Sequence, residues 1–105
     1  MATSVTSTRS FDVANFLRTP EDAAAYLSAA LEEDDPAAFR TALGDVARSR
    51  SMASVADAAG LGRESLYKAL SQGGNPSLDT VQRVVAALGL SLAVVPSRAG
   101  ATDAP

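Results

Sequence analysis

The sequence predicts an all-α domain of five helices. Three observations carry this reading. Apolar residues recur three and four positions apart in separate stretches between residues 23 and 88. Most of these stretches open on a residue suited to cap a helix. The composition is 47% hydrophobic but only 5% aromatic and rich in alanine, which suits closely packed helices.

A chain of 105 residues supports one small domain with an economical core, which association between copies would help to stabilise. Residues 1–10 and 97–105 have the Ser, Thr, Gly, Ala and Pro content of mobile tails. The single ordered domain is expected over 11–96. It divides into an acidic N-terminal segment (11–35), a helical core (36–89) and a C-terminal segment (90–96).

Phe11, Val13, Phe16 and Leu17 precede a helix start at Thr19-Pro20-Glu21-Asp22. Thr19 can cap, Pro20 fits the first turn, and the two acids meet the positive end of the dipole. This first helix is expected to run to about Glu33, burying Ala23, Tyr26, Leu27, Ala30 and Leu31. Asp35-Pro36 restarts the pattern, and Phe39, Leu43, Val46 and Ala47 give an apolar face to about Arg48. Gly44 inside that helix costs about 1 kcal/mol relative to Ala, which points to close approach of a neighbouring helix.

Ser51 can cap a helix over 52–59, and Gly60 can take the left-handed conformation that stops it. The next helix is expected from Arg63 to Ser71, before the break at Gln72-Gly73-Gly74-Asn75-Pro76. Ser77 caps a final helix with Leu78, Val81, Val84, Val85 and Leu88 facing the core, and Gly89 ends it. The run Leu90 to Val95, closed by Pro96, reads either as a short strand or as an extension packed on the helices without pairing. A strand would need a partner: a symmetry mate in a dimer, the segment Phe11 to Val13, or another protein's sheet edge.

The two short helices around Gly60 have the layout of a helix-turn-helix, whose second helix can enter the DNA major groove. Val55, Ala56 and Ala59 share one face, Leu61 can plug the turn, and Leu66 and Leu70 repeat four apart on the second helix. An ordinary helical hairpin wants the same features, so the motif by itself leaves both readings open.

Net charge is −3 at pH 7, but it is unevenly divided. Residues 1–35 carry two arginines and seven acids, whereas residues 36–98 carry seven basic residues and four acids. Acid in front and base around the two short helices suggest different partners for the two parts. Without cysteine there is neither a disulfide framework nor a thiolate metal site, and without histidine the usual zinc sites and the commonest general base are lacking. No cofactor, metal or small-molecule substrate is expected, nor an enzyme, since the acids sit in solvated runs or at caps. The N-terminus lacks the apolar run of a secretory signal, and no stretch reaches the roughly 20 apolar residues of a membrane span. A cytoplasmic location without membrane contact is expected.

The segment from about Phe39 to Leu90 resembles the five-helix DNA-binding domain of Cro-type phage repressors. It has a support helix, Val55-Ala56 to Ala59-Gly60-Leu61 through the turn, and Asn75-Pro76-Ser77-Leu78 with Thr80-Val81 opening the last helix. A narrower resemblance covers nearly the whole ordered chain. Phe11-Asp12, Tyr26-Leu27, Asp35-Pro36, Ala42 to Arg48, Arg63-Glu64-Ser65-Leu66-Tyr67-Lys68-Ala69-Leu70, Gly74-Asn75-Pro76 and Ala87 to Leu90 resemble the HigA-like, prophage-encoded addiction-module antidotes. That resemblance implies an antitoxin that binds a small basic toxin of the RelE/ParE superfamily and represses its own operon, usually as a dimer. Two positions depart from the repressor pattern: Ser54 or Ala53 stands where Gln is common, and Gly62 stands at an N-cap where Ser or Thr is usual. Gly costs only a few tenths of a kcal/mol there and leaves backbone N–H groups free for a phosphate.

In this reading Arg63, Glu64, Ser65 and Lys68 meet base edges, Arg63 suiting guanine and Glu64 either reading cytosine or orienting Arg63. Tyr67, Gln72 and Asn75, with Arg48, Arg50 and Arg83 as further candidates, would hold phosphates. Ser54 joins the DNA-binding set from the first helix of the pair. Arg40 and Arg83 serve equally well as solvated surface charge. The acids Asp12, Glu21, Asp22, Glu32 and Glu33 are the expected toxin-binding residues, through charge. Leu90, Leu92 and Val94 are the expected homodimer contacts. Two copies on a palindromic double-stranded operator, about 34 Å apart, would offset the small positive charge of one. The competing readings are a stand-alone phage-type repressor and an interaction module that has lost DNA binding.

Overall fold

Among the described residues, side chains start four of five helices. The computed structural model describes Leu17 and residues 19–97. Within it α1 spans Pro20–Leu31, α2 Pro36–Ser49, α3 Met52–Ala59, α4 Arg63–Leu70 and α5 Leu78–Ala87. Thr19, Asp35, Ser51 and Ser77 accept from the backbone N–H groups of Asp22, Ala37, Ser54 and Thr80, at 3.1, 3.0, 3.2 and 3.1 Å. Each bond satisfies a donor that the helix start would leave unpaired. Only α4 begins without one, at Gly62.

α1 packs on α2, α3 packs on α4 and α5, and α2 touches both α3 and α4. Leu17, Leu43, Val46, Leu66, Val84 and Leu88 are the largest fully buried side chains. Ala42, Ala47, Ala56 and Ala59 fill the remaining contacts, and their small size lets the helices approach closely. A Cβ on Gly44 would lie 3.4 Å from the carbonyl oxygen of Leu70, which shows the close α2–α4 approach that this glycine allows. The turn between α3 and α4 needs Gly60 at φ 72°, a left-handed conformation that costs other residues about 1–2 kcal/mol. Leu61 is half-buried there and packs against the core.

Arginines tie the loops to this core. Arg40 donates to the carbonyl of Gly74 at 3.1 Å, anchoring the connection between α4 and α5. Arg50 reaches the carbonyls of Leu88 and Leu17, each at 3.4 Å, and so links the end of α5 to the chain entering α1. The α1–α2 corner is held by Tyr26, which donates to Asp45 at 2.7 Å while Arg48 pairs with the other oxygen of the same carboxylate at 2.6 Å.

Several expectations are corrected. α1 ends at Leu31 rather than near Glu33, because the N–H groups of Glu32 and Glu33 turn back to Ala29 and Ala30 in a closing turn. Leu31 and Leu78 were expected in the core but are 57% and 67% exposed. Leu78 opens α5, where its side chain leans past the helix start. Leu31 lines an open groove between α1 and the C-terminal segment, which leaves it uncovered. The segment after Gly89 forms no strand: among the described residues, 91–96 make no backbone hydrogen bond. It follows the alternative of an unpaired extension, since a lone strand has no ladder to join. Phe11, Val13 and Phe16, Asp12, residues 1–10 and residues 98–105 of the C-terminal tail lie outside the described residues. Among the described residues, no helix is long and apolar enough to cross a membrane.

Two substitutions test the packing. The hydrogen bond to Asp45, and secondarily burial, push the Tyr26 phenol from 10 up to about 12. The folded state therefore favours the protonated phenol, so the stabilisation is complete below pH 10 and disappears as pH rises through about 12. Tyr26→Phe is expected to lower stability by about 1 kcal/mol near neutral pH. Urea unfolding of the two proteins should converge as pH rises from 10 to 12; a constant difference across that range would refute the role of the hydrogen bond. At Gly74, an added Cβ would overlap the carbonyl oxygens of Lys68 and Ala69 at the end of α4. Gly74→Ala is expected to destabilise by about 1–3 kcal/mol in the same measurement.

Candidate nucleic-acid interface

The sequence of α4 alternates what it buries and what it shows. Leu66 and Leu70 are 1% and 4% exposed and fix one face of the helix to the core. Arg63, Glu64, Ser65, Tyr67 and Lys68 are thereby left on the solvent side, with Tyr67 half exposed. A large aromatic ring held at 50% exposure in a chain with five aromatic residues can stack or hydrogen-bond with a partner.

At its start α4 offers backbone rather than side-chain chemistry. Gly62 has extended backbone, and no side chain caps the first turn. The N–H groups there, with the positive end of the helix dipole, can receive an anion. Arg63 stands at this end and shares a shallow depression with Ser54, Asp57 and Leu61. Ser54 and Arg63 thus come from different helices to one place.

Further along, Ser65, Lys68, Gln72 and Asn75 line a second depression with Gly73 and Gly74. The break after α4 folds back toward the helix, because Gly74 donates to the carbonyl of Ser71 at 2.8 Å and its own carbonyl is held by Arg40. The eight expected DNA-contacting residues therefore lie along or beside one exposed helix. The tight return at Gly74 could not be read from spacing alone.

Three further arginines have partners within the chain. Arg48 pairs with Asp45. Arg83 pairs with Asp79 at 2.9 Å and reaches the carbonyl of Ala59 at 3.4 Å, at the end of α3. Arg50 is taken up by the two carbonyls already described. The structural use of these side chains was hidden in the sequence, where an arginine on a helix surface looks the same whether or not a carbonyl lies within reach.

The acidic residues do not form one patch. Glu21 and Asp22 stand at the start of α1, and Glu32 and Glu33 just beyond its end, separated by about 15 Å of helix axis. The described positions of the expected dimer residues also differ from one another. Leu90 is half-buried against the core, Leu92 is 41% exposed, and Val94 is fully exposed.

Comparison with known proteins places this chain in a family. A family model described as a probable addiction module antidote protein matches residues 7–96. The chain is also 47% identical over 90 residues to an uncharacterized protein of Haemophilus influenzae strain Rd, covering 86% of this chain and 93% of the relative. No solved structure matches the chain. The matched span takes in all five helices and the segment after them, and an antidote implies a toxin as its counterpart. This chain belongs to the family of probable addiction module antidote proteins.

Proposed function

We propose that this antidote neutralises its toxin by direct binding and represses its own operon by binding operator DNA through α4. The observation that carries the DNA half is the uncapped α4, with Arg63, Glu64, Ser65, Tyr67 and Lys68 on one solvent face beside Gln72 and Asn75. In a helix-turn-helix of the repressor type, such a helix enters the major groove by its N-terminal half. Arg63 suits the O6 and N7 acceptors of guanine, with Glu64 orienting it or accepting from cytosine. Ser65 and Lys68 meet further base edges, while Tyr67, Gln72, Asn75 and Ser54 fix register on phosphates.

The resemblance to HigA-like antidotes supports a small basic toxin of the RelE/ParE superfamily as the partner. We read the protein as a cytoplasmic binding protein without catalytic chemistry. Since Arg48, Arg50 and Arg83 are engaged within the fold, each copy brings little free positive charge to DNA. Two copies on a palindrome would double the contacts. We assign the dimer contact to Leu90, Leu92 and Val94 of the C-terminal segment, of which Val94 is fully exposed.

Gel shift with the promoter upstream of the gene tests this reading. The wild-type protein should give a salt-sensitive shift, and Arg63→Ala with Lys68→Ala should weaken it by roughly 100-fold or more, since each good contact contributes about 1–3 kcal/mol. No shift with wild type, or an unchanged shift with the double variant, would refute the DNA assignment. Val94→Asp should lower the mass seen by light scattering from dimer to monomer and weaken the shift in parallel; a dimer that persists would place the contact elsewhere.

A further inference from the structure

An apolar groove of about 600 Å³ runs between α1 and the C-terminal segment. Leu27 and Val85, both buried, line it together with half-buried Phe39 and Leu90. Leu31 of α1 and Leu92 and Val95 of the segment line it as well, and these three are 57%, 41% and 73% exposed. A chain with so few bulky apolar residues leaves several of them in solvent at one place, which marks a binding surface. No residue of α3 or α4 lines the groove.

Among the described residues, the charged side chain that lines the groove is Glu32; Glu33, Asp34 and Asp35 follow directly in sequence, with Glu33 and Asp35 lining a separate depression against α2. Residues 19–39 contain six acids and no lysine or arginine. The next cations along the described chain are engaged within the fold: Arg40 on Gly74, Arg48 with Asp45, and Arg50 on Leu17 and Leu88. A second copy is a poor occupant, because a symmetric contact through this groove would set one acidic run against its own copy.

We propose that this groove receives an apolar segment of the toxin flanked by lysine or arginine. The inference rests on the antidote reading and names the surface that carries it. Apolar side chains of the partner cover Leu31 and Leu92 and reach Leu27, Phe39 and Val85. The basic flank meets Glu32, so charge speeds the encounter while apolar burial holds the complex. Because the groove is built from α1, α2, α5 and the C-terminal segment, its occupation leaves the exposed face of α4 free.

The test uses the full chain and the purified product of the adjacent small reading frame. Leu31→Lys replaces an exposed side chain of α1, outside the residues expected in the dimer contact, and should lower affinity for that protein by roughly 10-fold, as expected for one apolar anchor. Helical circular dichroism, oligomeric state and the promoter gel shift should stay unchanged. Glu32→Lys should slow association several-fold at low salt and less at high salt. Equal binding by wild type and the leucine variant would overturn the groove while leaving the antidote reading intact. Failure of the wild-type chain to bind that product would instead sink the antidote reading itself, and the proposal with it. A dimer converted to monomer by Leu31→Lys, with binding of that product retained, would assign the groove to a second copy. An apolar fluorescent dye that binds only after Phe11→Ser with Phe16→Ser would assign it to the chain's own N-terminal segment, against the proposal.

Discussion

Everything in this domain depends on helices approaching one another almost backbone to backbone. With three phenylalanines, two tyrosines and no tryptophan, the chain cannot fill wide gaps between helices, so it closes them. Ala42, Ala47, Ala56 and Ala59 are buried at the contacts, and Gly44 brings α2 near the final carbonyl of α4. At such spacing one added methyl group meets backbone, which cannot rotate away as a side chain can. The position of α4 is therefore set by residues that do not face the surface it presents.

The same closeness explains the arginines. Helices packed this tightly end near one another, and their last carbonyl groups carry partial negative charge with no partner inside the helix. Arg50 reaches Leu88 beyond α5, Arg83 reaches Ala59 at the end of α3, and Arg40 holds Gly74 in the loop after α4. A guanidinium offers several donors in a fixed plane and can hold carbonyls from separate segments. Positive charge that looks available to DNA in the sequence is thereby spent within the fold. The exposed cations that remain on α4 are Arg63 and Lys68, placed along its solvent face.

α1 turns the chain's charge division into geometry. Its buried side, Ala23, Leu27 and Ala30, joins the domain, and Tyr26 locks it to α2 through Asp45. Its end carries Leu31 beside Glu32 and Glu33, so an apolar lip and an acidic rim sit together, on a surface to which α4 contributes nothing. One small domain can thus present a polar helix to one partner and an apolar, acidic-edged groove to another.

The helix starts, the left-handed Gly60 and the exposed face of α4 were legible in the sequence, because caps, turns and periodicity are local properties of the chain. Thr19, Asp35, Ser51 and Ser77 cap where their spacing predicts, and Leu66 and Leu70 alone determine which side of α4 is buried. The fate of the segment after Gly89 was not legible, since β-branched apolar residues suit a strand only when a second strand lies alongside. Nor was the exposure of Leu31 and Leu78, because periodicity says which residues share a face and not whether another element covers the end of the helix. Tertiary structure alone decided which arginines meet carbonyls and which leucines meet water, since both depend on atoms far apart in the chain arriving at one place.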